Sequence, residues 1–182
     1  MGMAADIYRP EAWDGLFQLV GAGAAALTGL VFVSMSLNLH VITQDITHRY
    51  RAICNLSGLT SVFVICALAS MGNQGHLAIG AEWSVVASIA AIIYINGYTQ
   101  ARKGGRSSVG LSIKRLTVGV TCYVVEVIGA IILLLGHILG IYVASVAMII
   151  NIPFFISGAW LLMVGVQLDL AEHQKESPKE LR

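Results

Sequence analysis

Charge is scarce in this chain. Of 182 residues only 12% are Asp, Glu, Lys or Arg and 57% are hydrophobic, whereas a soluble domain carries about 25% charged residues. So little charge cannot clothe a soluble globule of this size, and the mean hydropathy of +0.78 points the same way. A cytosolic enzyme, a disordered tail and a nucleic-acid binder are excluded as first readings. The net charge of +1 provides no field to select a polyanion. Cysteine is sparse as well. Cys54, Cys66 and Cys122 lie in apolar runs with no CxxC or Cys/His spacing, so they read as reduced, buried small hydrophobes. HExxH, GxSxG and paired NPA motifs are missing, no repeat of fixed period is present, and no lysine lies deep in an apolar run. Hydrolase, aquaporin and retinal chemistry lose their footing. The first 14 residues hold one cation, Arg9, against Asp6, Glu11 and Asp14. A secretory signal needs a basic start, so the first apolar run is expected to stay as a membrane span.

Long apolar runs are what the chain does have. A membrane-crossing helix needs roughly 20 predominantly apolar residues. Five runs qualify, at about 12–42, 52–71, 81–100, 116–136 and 139–168, followed by a polar tail, 169–182, read as helical up to Pro178. The last two runs are split by Gly136-His137-Ile138-Leu139-Gly140, and two glycines there predict a tight hairpin. The fold class expected is all-α: one integral membrane bundle of five transmembrane helices spanning the single domain 1–182.

The cations set an orientation. Arg49 and Arg51 fall between runs one and two. Arg102, Lys103, Arg106, Lys114 and Arg115 fall between runs three and four, and Lys175, Lys179 and Arg182 in the tail. Ten of the eleven Lys and Arg therefore share one side, and the positive-inside rule gives N-terminus out, C-terminus in. Trp13 and Trp83 are then expected at the outer interface as aromatic anchors. The segment Arg102-Lys103-Gly104-Gly105-Arg106-Ser107-Ser108 reads as a topology signal touching anionic lipid headgroups. It has no Walker-type spacing.

Helices in lipid associate by close packing and interhelical hydrogen bonds. Gly21, Ala25 and Gly29 recur every four residues and are the expected helix-packing stripe. Ser57, Gly58 and Ser61 form a second small surface, and Ser84, Ser88 and Ala91 a third. Such surfaces serve packing within the bundle or association between subunits.

Glu126 is the one acid deep inside a run, near the bilayer midplane. A charge there costs several kcal/mol and usually marks function. Gly119, Cys122, Tyr123, Gly129 and Ala130 share its helical side, while Val120, Val124, Val127, Ile131 and Leu135 lie opposite. The valine side is predicted to meet lipid and Glu126 to face protein or a cavity. Counting outward from a turn near Ile138 puts Glu126 level with Ile150, beside Asn151. Pro153 frees the Ile149 carbonyl, and Thr28 and Ser61 fall at similar depth. Glu126, Asn151, Pro153, Thr28 and Ser61 form the expected ion or proton site. The plainer reading is a permanently protonated Glu126 that acts as structural glue.

Other constellations point less far. His76, Glu82 and His137 lack metal-ligand spacing, and His40 and His48 are too shallow for haem, so neither metal nor cofactor is expected. Glu82 suits a helix start, and Asn38, Asn55 and Asn96 read as interface residues. The run 13–39, with its Gly-Ala-Gly-Ala-Ala-Ala-Leu-Thr-Gly-Leu-Val-Phe-Val centre and Ser36-Leu37-Asn38-Leu39 ending, resembles an uncharacterised family of small bacterial multi-pass inner-membrane proteins. The resemblance implies a bacterial inner-membrane location and adds no activity. The function expected is an oligomeric channel or transporter for protons or small cations, with membrane lipids and copies of itself as partners. The alternative is a non-catalytic scaffold or accessory subunit that packs against other membrane proteins. An intramembrane enzyme lacks a nucleophile–base pair.

Overall fold

The architecture comes from a computed structural model describing residues 10–72, 74–103 and 113–176, with side chains from 11 to 171 within those ranges. After a 3-10 turn at Pro10–Ala12 come α1 (Asp14–Leu37), α2 (Leu39–Gln44), α3 (Ile46–Ala69), α4 (His76–Lys103), α5 (Ile113–Leu134) and α6 (Leu139–Glu176). No strand occurs among the described residues. Helices α1, α3, α4, α5 and α6 are each long and apolar enough to cross a membrane. Helices suit lipid because they satisfy every backbone donor internally.

Helices α3, α4 and α6 are longer than the apolar runs that announce them, because polar residues supply their ends. Asp45 caps α3: its Oδ1 accepts from Thr47 N at 2.6 Å and His48 N at 3.2 Å. The helix therefore starts at Ile46, and Arg49 and Arg51 lie within it rather than in a loop. The first apolar run is broken at Asn38, whose Nδ2 donates to Ser34 O at 3.2 Å and whose backbone leaves the helical region. The α5–α6 hairpin turns at Gly136, with φ +89°, a conformation that costs glycine nothing. The basic-loop residues 104–108 and the tail beyond 176 lie outside the described residues.

Helices α3, α4, α5 and α6 close into a ring, each packed on the next and α6 back on α3. Helix α1 leans on the outside, mainly against α3 and slightly against α6. It is the least buried of the five long helices, and α3 the most. The α5 face divides in part as the spacing predicts: Gly119, Tyr123, Glu126, Gly129 and Ala130 are buried and Val124, Ile131 and Leu135 exposed, but Cys122 is half-buried, and Val120 and Val127 pack partly against the core.

Close approach is carried by glycines other than the expected stripe. A Cβ on Gly129 would stand 2.6 Å from Ala144 N, and one on Gly140 would strike Gly129 O and Leu133 N. Gly21 does pack against Cys66 of α3, but Ala25 and Gly29 are exposed, and nothing lies within 4 Å of a Cβ at Gly29. The four-residue repeat cannot serve one partner along its whole length, because α3 contacts α1 over a face centred on Phe17, Val20, Gly21 and Ala24.

The core is asymmetric along the bundle axis. Where α4 starts and α5 ends it is built from Phe17, Ile65, Ile79, Leu133, Ile141 and their neighbours. Toward the other end it turns aromatic, with Tyr94, Tyr98, Tyr123 and Phe155. That end also buries His48, Arg51 and Asn55.

Candidate functional site

The Glu126 carboxyl joins three helices. Trp83 Nε1, from α4, donates to Oε1 at 3.0 Å, and Asn151 Nδ2, from α6, donates to Oε2 at 3.0 Å. All three residues are 1% exposed. Glu126 is within one turn of the middle of α5. Both of its partners are neutral donors, so no formal charge opposes its own. Asn151 Oδ1 has no hydrogen-bond partner among the described residues. Turning the amide over presents that oxygen in place of the NH2. One side chain is thus equipped to donate to a carboxylate or to accept from a carboxylic acid.

The hairpin count thus puts the right amide beside the acid. The other expected members stand elsewhere. Ser61 is buried but donates to Gly58 O at 2.8 Å, and it lies beside Tyr123 rather than the carboxyl. Thr28, on the outer helix, donates to Ala24 O at 2.7 Å within its own helix. Pro153 lies on the exposed side of α6, and the helix runs through it. Trp83 differs most from expectation. It is fully buried, T-stacked on Phe17 of α1 with ring centroids 5.9 Å apart, instead of anchoring an interface. Its hydropathy position is the same in both cases; the buried acid that its N–H meets is what draws it inward.

Ser145 Oγ is also buried without a hydrogen-bond partner among the described residues, and Tyr123 Oη lies by Ser61. Tyr123 is one turn from Glu126, and its ring lies 5.9 Å from that of Tyr94. Tyr94 Oη donates to Arg115 O at 3.1 Å. The Arg115 guanidinium donates to Phe154 O at 2.7 Å and to Ser157 Oγ at 3.2 Å, and lies over the Phe154 ring. Gly158 admits both Asn55 Oδ1 and Arg115 Nη2, which a Cβ would displace. Polar groups thus continue from Glu126 toward the start of α3.

Arg51, Asn55 and Arg115 escaped the sequence reading because their charge and position matched a loop or interface. A signal was present: His48, Arg51 and Asn55 are spaced i, i+3, i+7, one helical face that continues into Gly58 and Val62. His76, Glu82 and His137 are not gathered into a metal-binding group.

Trp83→Phe tests the site's structural share. It keeps the aromatic packing and deletes the donor to Oε1, so a loss of about 1–2 kcal/mol is expected. Equilibrium unfolding in mixed micelles measures it, and unchanged stability would mean that the bond contributes nothing.

The class defined by this fold is an all-α bundle of membrane-crossing length built around a buried carboxyl. No family model, curated protein or solved structure matches the chain.

Proposed function

We propose that the protein conducts protons or small cations across a bacterial inner membrane through Glu126, with the N-terminus outside and the C-terminus in the cytoplasm. The observation that carries this reading is the Glu126 carboxyl, 1% exposed, held among the described residues by the neutral donors Trp83 and Asn151 alone, with Asn151 Oδ1 still available. Carboxyls in this setting mark ion pathways and proton relays. The asymmetric core supports it further. Polar groups lead from Glu126 to the cation-rich end, and apolar packing closes the other side. Under the proposed orientation, protons reach Glu126 from the cytoplasm. Subunits associate as a homo-oligomer through the outer face of α1.

Dye-loaded proteoliposomes carrying a potassium diffusion potential test this. Wild-type protein is expected to acidify or alkalinise the lumen according to the sign of the potential, and Glu126→Gln to lower the flux at least about tenfold, a barrier change near 1.4 kcal/mol. Repeating the assay with and without Na+ separates protons from other cations. Equal flux in wild type and Glu126→Gln, or none above protein-free vesicles, rejects the proposal.

A second reading, a scaffold or accessory subunit, is favoured by one observation. Ala22, Ala26, Gly29 and Val33 form an exposed small-residue face on α1, the kind of surface on which membrane helices associate. A scaffold is silent in the flux assay and co-purifies with another membrane protein.

A further inference from the structure

We propose that Asp45, His48 and Asp169 form a binding site for a divalent transition-metal ion of the zinc class, where α3 begins and α6 leaves the bundle. The site is independent of Glu126. One donor atom from each residue lies within 4.8 Å of the others. His48 Nε2 and Asp169 Oδ2 are 2.9 Å apart, close to the spacing of neighbouring ligands around an ion bound at about 2.0–2.1 Å.

The cap places Asp45 beside His48 and the His–Asp contact places Asp169 there, and together they gather three donor atoms at one point. The His48 side chain is only 3% exposed, and its Nδ1 has no hydrogen-bond partner among the described residues. The nitrogen that faces Asp169 is Nε2, so Nε2 would ligate the ion, and the unmatched Nδ1 lies on the far side of the ring. Asp45 is already oriented: Oδ1 accepts from Thr47 N and His48 N, the kind of supporting contact that fixes a ligating carboxylate. The Asp169 side chain is 22% exposed, so an ion can reach the cluster from solvent and keep water in its open positions. One imidazole with two carboxylates suits zinc, manganese or ferrous iron better than the softer metals. Arg51 borders the same Gly165 as His48, and its charge weakens cation binding. The affinity expected is therefore below that of a three-ligand site with no cation beside it. Asp45 and His48 are sequence neighbours, but Asp169 follows 121 residues after His48, so no ligand spacing announces the site.

The test uses untagged full-length protein in detergent micelles, stripped with chelator. Zn2+ is expected to raise the melting temperature, and Co2+ to give a visible absorption band typical of a low-symmetry site. Asp45→Asn keeps a good helix cap and removes the ligand charge. Asp169→Asn is nearly isosteric. Each variant is expected to melt cooperatively without metal and to bind Zn2+ at least about tenfold more weakly than wild type. The proposal is overturned if Zn2+ leaves the wild-type melting temperature unchanged. It is equally overturned if both variants, folded, keep the wild-type response.

Discussion

Gly140→Val is expected to leave little folded protein. A side chain at 140 would collide with backbone atoms of α5, Gly129 O and Leu133 N, as well as with Leu133 Cα at 2.8 Å. A flexible side chain can move aside; a helix backbone moves only as a whole. Overpacking a core costs about 1–3 kcal/mol when side chains absorb the strain. Here the two helices of the hairpin must separate, so roughly 3 kcal/mol or more is expected. Gly29→Val is the matched control. It sits in the stripe that the sequence singles out, yet a Cβ there meets nothing within 4 Å. Its effect on the single bundle should stay within about 0.5 kcal/mol. Size-exclusion profiles in mild detergent, followed by equilibrium unfolding, compare the two. A monodisperse Gly140→Val protein of wild-type stability would refute the packing account. A folded Gly29→Val protein of reduced oligomeric mass would assign that face to association.

The second large effect is expected at Asn151. Asn151→Leu removes the donor to Glu126 Oε2 and leaves the carboxyl buried. Hydrogen bonds between membrane helices average roughly 0.6 kcal/mol, but a stranded buried polar group costs about 1–3 kcal/mol. The second figure governs, because what remains matters more than what is lost. A loss of about 2 kcal/mol is expected. The Trp83→Phe, Glu126→Leu, Asn151→Leu triple variant removes all three polar partners and should recover much of that loss, since matched apolar replacement is nearly neutral. A triple variant less stable than Asn151→Leu alone would show that the polar cluster stabilises the bundle by itself.

Much of this was legible beforehand, for definite reasons. Apolar length fixes the number of long helices because lipid allows few alternatives. The inward turn of Glu126 follows from the valines opposite it, and its pairing with Asn151 follows from equal rise on both arms of a hairpin. Trp83 and Arg51 could not be placed the same way. Each is a residue type common at interfaces, and what draws Trp83 inside is a partner far away in sequence. The packing glycines were hidden for a related reason. Gly129 and Gly140 touch backbone across the hairpin, and no spacing within one helix reveals that. Depth alone groups Thr28 with Glu126, whereas α1 stands outside the ring.

Helix α6 carries one further consequence. Asn151 and Asp169 lie on the same buried stripe, with Phe155, Gly158, Leu162 and Val166 between them. They are 18 residues, or about 27 Å, apart on one continuous rod. One helix therefore supplies both the amide that meets the Glu126 carboxyl and the carboxylate that meets His48, so a lengthwise shift of α6 would break both contacts at once.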